Sequence, residues 1–174
     1  MSLFELAIPT VLRHEGGLVD NPNDPGGITN HGVSLRWLKS QGLAGDIDHD
    51  GDVDADDIKK MTTAEATQFY KDMWWTPGHY GLIVAQLPAT KLFDTAVNMG
   101  TPRAVKFAQE IVGINPTTGN LGPRTLAGIN AMPSVQFIQA YQNKQADFYR
   151  SLVASNPARQ QFLNGWLNRA YDRI

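Results

Sequence analysis

His14–Ser34 reads HEGGLVDNPNDPGGITNHGVS, and the fold class turns on this stretch. It is dense in Gly, Pro, Asn and Asp, so it predicts turns with at most a small irregular hairpin. The chain ahead of it is helical in pattern. Ser2 and Glu5 fit a capping box, and Leu3, Leu6, Ala7, Val11 and Leu12 share one helix face. Pro9 inside that pattern predicts a kink or a later start, and Gly16-Gly17 end the helix just after Glu15. Beyond the stretch, Ser34 caps a short helix through Trp37 and Leu38, closed by Gly42.

The same signals recur to the C-terminus. Thr62 and Glu65 form a second capping-box pattern, opening a helix to about Trp75 that Thr76-Pro77-Gly78 breaks. Pro88 and Thr101-Pro102 open helices over 88–99 and 102–112, and Gly113 closes the second. A loop over 114–124 follows, then helices from Pro133-Ser134 to about Val153 and from Asn156-Pro157 to about Arg173. The expected fold is mainly α.

At 174 residues with 42% hydrophobic content, the chain is long enough for one domain with a real core. No apolar run approaches the ~18 residues of a membrane span. There is no cysteine, which excludes disulfides, thiol catalysis and zinc–thiolate sites. The net charge of −2 is uneven: residues 46–57 carry seven Asp and no Lys or Arg, so the other residues sum to +5. A mildly basic body suits an anionic partner, and no nucleic-acid-binding motif accompanies it.

Glu15 is the first chemical candidate. A carboxyl at the end of an apolar helix, against a turn-rich loop, is partly withdrawn from water, and withdrawal favours the protonated form that a general acid needs. A lone Glu there also reads as an ordinary solvent-facing side chain. Asp24, nine positions on, could supply a second carboxylate, with Thr29 or Asn30 positioning a water between the two. Asp20 competes for that role, and both Asp20 and Asp24 also read as Asx-turn residues.

Taken together, several separated motifs resemble glycoside hydrolase family 108, the N-acetylmuramidase-like proteins also called secretion activators. They are the quoted stretch, then FYKDMWW (69–75), FDTAVNMGTPRAVKFAQEIVG (93–113), GNLGPRTL (119–126) and FLNGWLNRAYDRI (162–174). The resemblance implies a lysozyme-like helical domain over 1–113 and a helical peptidoglycan-binding-like region over 114–174, packed as one compact unit. It implies cleavage of the β-1,4 bond between N-acetylmuramic acid and N-acetylglucosamine, with Glu15 as catalytic acid. The spacing is also similar to phage-type lysozymes, whose pattern is Glu, eight residues, Asp, five residues, Thr. Here Asn30 holds the last position and Thr29 stands one residue early.

Other residues extend the candidate site. Asp94 and Asn98 lie four apart on one predicted helix, so they share a face. The resemblance favours Asn98 as cleft lining, and Asp94 reads equally as a structural hydrogen bond. Trp74, Trp75 and Tyr80 could stack on sugar faces, with core packing as the alternative for one Trp. Trp166 reads as packing.

Residues 46–57, DIDHDGDVDADD, match an EF-hand-type loop. Asp46, Asp48, Asp50, Asp54 and Asp57 stand at side-chain ligand positions, the Asp52 carbonyl at the backbone one, and Gly51 at the sharp turn. Asp at position 12, and a short incoming helix, are dockerin-like. The expected cofactor is one structural Ca²⁺, with none for catalysis. The alternative is a solvated acidic loop.

The expected function is a peptidoglycan hydrolase of phage or prophage endolysin type, acting as a monomer on glycan strands. The N-terminus lacks the basic region and cleavage site of a signal peptide. The expectation is synthesis in the cytoplasm and action on the periplasmic wall after holin-type release. A non-catalytic peptidoglycan-binding module, and a calcium-dependent secretion-accessory protein, are the alternative readings.

Overall fold

The structure is a computed structural model describing residues 1–20 and 27–174. The fold is mainly helical. Its helices are α1 (Phe4–Glu15), α2 (Leu35–Ser40), α3 (Ala55–Lys60), α4 (Thr63–Tyr70), α5 (Gln86–Met99), α6 (Thr101–Ile111), α7 (Pro123–Ala131), α8 (Ser134–Ser155) and α9 (Gln160–Tyr171). Two short strands, β1 (Thr29–Asn30) and β2 (Val33–Ser34), pair antiparallel. Among the described residues, no helix is long and apolar enough to cross a membrane.

The chain divides into two compact units, one of residues 11–73 and one of residues 1–10 with 74–174. Within the larger unit, α5 packs against both α6 and α8.

In the 11–73 unit, Ile28, Val33, Leu38, Ile58, Met61 and Ala66 form the core, with Leu12, Trp37, Ile47, Val53 and Phe69 packed on it. The hairpin uses His31-Gly32 as a two-residue turn. Both have positive φ, 49° and 79°, the requirement of the turn that matches strand twist. The expected caps form: the Ser34 side chain accepts from the Trp37 N–H, and Thr62 and Glu65 make a reciprocal box. The helix expected to run to Trp75 instead widens into a π-helical turn over Lys71–Trp75.

In the other unit, α5 is buried continuously from Pro88 to Ala96, the signature of a helix packed on all sides. It starts at Gln86, ahead of the expected Pro88. The Gln86 side chain accepts from the Leu3 N–H, satisfying an orphan donor at the start of α1. Ser2 does not cap that helix; its hydroxyl donates to the Tyr80 carbonyl. Pro9 lies inside α1. Helix α7 follows Gly122 with Pro123 at its first position, the arrangement Pro favours. Its loop is tied down by buried Gln109, which donates to Thr118, Asn120 and Thr125 and accepts the N–H of Thr118 and Gly119.

Candidate active site

Glu15 is the last residue of α1 and is half-buried. Its side chain lies against the tip of the hairpin. A Cβ added to Gly32 would fall 2.9 Å from Glu15 Cβ and 3.0 Å from Cγ. The same turn is held by the Tyr70 hydroxyl, which donates to the His31 carbonyl at 2.8 Å. The carboxyl-bearing helix end is therefore seated on a two-residue turn that α4 also holds, through Tyr70.

The chain after Glu15 folds back on the hairpin. Val19 and Thr29 exchange both backbone hydrogen bonds at 2.8 Å, an isolated antiparallel bridge beside β1. Asp20 follows that bridge and is exposed. Asp24 lies outside the described residues. Thr29 is half-buried and pairs with Ser34. Asn30 is buried, and its amide donates to the carbonyls of Ile58 (3.0 Å) and Met61 (3.3 Å) at the end of α3. Its donors are thus committed to holding the hairpin to α3, and of the two expected water-positioning residues only Thr29 keeps a side chain without that task.

The expected sugar-contacting residues behave differently. Trp75 and Tyr80 are buried, at 7% and 0% exposure. With Phe4 and Phe93 they form an aromatic cluster at centroid distances of 5.3–6.0 Å. Burial raises the Tyr80 phenol to about 12, against the lowering effect of its bond to Thr101. These two rings are core, because in this unit they find aromatic partners from α5 and the start of α1. Asp94 is also core: fully buried, it meets Arg169 bidentately, through Nη2 at 2.8 Å and Nε at 3.3 Å. Asn98, one turn on, is exposed and accepts from the Tyr149 hydroxyl at 2.6 Å. Trp74 is half-buried. Trp166 stacks on Tyr149 at 5.2 Å, as packing. A groove of about 400 Å³, lined among others by Trp37, Phe69, Met61 and Met73, adds an aromatic-walled surface that the sequence did not single out. The sequence signal for it was faint: Glu65, Phe69 and Met73, which line it, lie four apart and mark one helix face and no more.

The acidic loop is ordered around its own backbone. Asp57 is buried at 1% exposure and accepts the N–H groups of Ile47 (2.6 Å), Asp48 (3.2 Å) and Asp54 (2.7 Å). Burial alone would raise its carboxyl, but these donors outweigh burial and hold it below the usual range. Asp54 and Asp57 form a reciprocal capping box on α3, a D-x-x-D pattern visible in the sequence but there assigned only to ion binding. Asp50 and its acidic neighbours push the exposed Asp52 carboxyl up. One oxygen each of Asp46, Asp48 and Asp50 lies within 4.8 Å of the others, and the same holds for Asp52, Asp54 and Asp57.

Comparison with known proteins turns this geometry into a family. A model for glycosyl hydrolase 108 matches residues 8–100, more than half of the chain. The chain belongs to glycosyl hydrolase family 108. That family region contains Glu15, the hairpin, the acidic loop and α5. A second model, described as a predicted peptidoglycan domain, matches residues 103–171, which covers nearly all of α6 to α9. The structure of Brucella abortus SagA is similar at 28% identity and a TM-score of 0.69, over 96% of this chain and 92% of that one. No curated protein matches the sequence. The two family matches place this family 108 chain among proteins that hydrolyse or bind peptidoglycan.

Proposed function

We propose that the chain is an N-acetylmuramidase that cleaves the β-1,4 bond between N-acetylmuramic acid and N-acetylglucosamine, with Glu15 as general acid. The observation that carries this reading is the seat of Glu15: a carboxyl-bearing helix end fixed against a turn, in the segment the family 108 model covers. Glu15 delivers its proton to the glycosidic oxygen as the bond to the anomeric carbon breaks. A second carboxylate, Asp24 or Asp20, takes a proton from a water on the opposite face of the ring as that water's oxygen bonds to the anomeric carbon, with Thr29 positioning the water. A water between two carboxylates makes the reaction inverting, which needs the two groups ~6.5–9.5 Å apart. The substrate puts the site of action at the cell wall.

Glu15→Gln tests the reading. The amide keeps the volume but cannot deliver a proton. Lysis of purified sacculi, followed by turbidity, falls by roughly 10²–10⁴-fold while the melting temperature holds. Full residual lysis overturns the assignment. The match over residues 103–171 also supports binding without hydrolysis, so the variant is assayed for sacculus co-sedimentation. Retained binding with lost lysis separates the two activities, whereas wild-type protein that binds sacculi without lysing them favours the non-catalytic module.

A further inference from the structure

Asp48 stands out in the acidic loop. Its side chain is 6% exposed, yet its Oδ1 is a buried oxygen with no hydrogen-bond partner. Buried polar atoms are nearly always satisfied, and a charged one left alone is among the costliest defects a fold can hold. The other oxygen, Oδ2, meets the Lys60 ammonium, whose own side chain is 59% exposed and free to swing into solvent. One cation therefore touches Asp48 from outside while an oxygen stays unmatched inside.

We propose that residues 46–57 bind one Ca²⁺, that Asp48 Oδ1 is a ligand oxygen of that site, and that the ion holds the hairpin behind Glu15 through Asn30. Asp46 and Asp50 bring one carboxylate oxygen each to within 4.8 Å of the Asp48 carboxylate, a spacing that oxygens sharing one ion at ~2.3–2.6 Å can have. The donor set is all oxygen, which selects a hard cation, and its crowding of carboxylates suits the six to eight ligands of Ca²⁺ better than the strict octahedron of Mg²⁺. Asp57 already accepts three backbone N–H groups. Its role toward the ion is thus single-oxygen at most, and it chiefly closes the loop onto α3.

The path to the hairpin is short. Ile58, next to Asp57, and Met61 present the carbonyls that Asn30 grips. Asn30 belongs to β1, and the turn joining β1 to β2 is the one on which Glu15 rests. An ion that orders residues 46–57 therefore holds α3 from its first turn, and through the Ile58 and Met61 carbonyls at its other end it holds the hairpin. The consequence for catalysis rests on Glu15 being the general acid; the binding itself does not.

The test uses the full chain, stripped with a chelator and titrated with CaCl₂ by calorimetry, with amide exchange of residues 28–34 read in both states. Wild type binds one Ca²⁺, and equal Mg²⁺ does not reproduce the heat. Asp48→Asn weakens binding at least about 10-fold, and Lys60→Gln tightens it by removing the competing cation. Calcium slows exchange in 28–34 several-fold. No heat of binding, or unchanged affinity in Asp48→Asn and Lys60→Gln, overturns the site. Calcium binding that protects residues 46–57 alone overturns the link to the hairpin. All these readouts are taken without substrate, so their failure leaves the muramidase reading standing, and an inactive chain that still binds calcium would sink that reading alone.

Discussion

Gly32→Ala is the sharpest probe of how Glu15 is held. Gly32 has φ of +79°, a conformation that costs an L-residue about 1–2 kcal/mol. The added methyl would also run into the Tyr70 hydroxyl, its nearest neighbour, and would sit 2.9 Å from Glu15 Cβ and 3.0 Å from Cγ. Both atoms are close to the helix backbone, so neither can simply swing away, and the Tyr70 hydroxyl on the other flank is tied to His31. Overpacking of this kind costs about 1–3 kcal/mol, giving a total of roughly 2–5 kcal/mol. Gly42→Ala is the control in the same unit: its φ is +59° and nothing lies within 4 Å of the added carbon, so it loses only the backbone part, about 1–2 kcal/mol. Urea denaturation of both variants reads the difference. Turbidity reads the second effect, because a carboxyl displaced by ~1 Å loses on the order of 10²-fold in rate, whereas Gly42→Ala lyses sacculi like wild type. If Gly32→Ala is no less stable than Gly42→Ala and lyses at the wild-type rate, Glu15 is not seated on this turn as described.

Two further outcomes come from the other unit. Arg169→Ala leaves the fully buried Asp94 carboxylate without its bidentate partner, and should cost about 3–5 kcal/mol in urea unfolding; a loss below about 1 kcal/mol would mean that the pair contributes little. Lys91 is fully buried, with its ammonium donating to the carbonyls of Arg169 and Ala170. Burial lowers its pKa from 10.5 to about 8, partly countered by Asp94. The unfolded chain then binds the proton more tightly than the folded one, so stability rises with pH between these values. From pH 8 to 9 the gain is about 1 kcal/mol, and the tyrosines that burial raises reverse the trend as the pH nears 10. The denaturant midpoint should climb over that range in wild type and stay flat in Lys91→Met.

What the sequence made legible follows the range of the interactions involved. The Thr62/Glu65 box and the Ser34 cap join residues three apart, and both form as their local pattern requires. Helix α7 was missed, although Gly122-Pro123 carried a start signal, because the turn-rich residues just before it drew the whole stretch toward a loop. Asp94, Trp75 and Tyr80 were open to two readings because their deciding partners are remote. Arg169 lies 75 positions from Asp94, and Phe4 is brought to Trp75 only by the fold. A polar or aromatic residue on an apolar helix face carries no local mark of whether its partner is a ligand or another part of the chain.

The acidic loop shows why such ambiguity is physical and not a failure of pattern reading. The same Asp57 that an EF-hand pattern places at its last ligand position also stands three residues after Asp54, where a capping box needs it. Both roles ask for a carboxylate turned back toward the loop. In the structure the backbone donors of residues 47, 48 and 54 take it, leaving Asp48 with the unmatched oxygen. Closing a loop through its own N–H groups and binding an ion are therefore not rival readings of residues 46–57. The first gathers the carboxylates, and the repulsion among those like charges is what the proposed ion would offset.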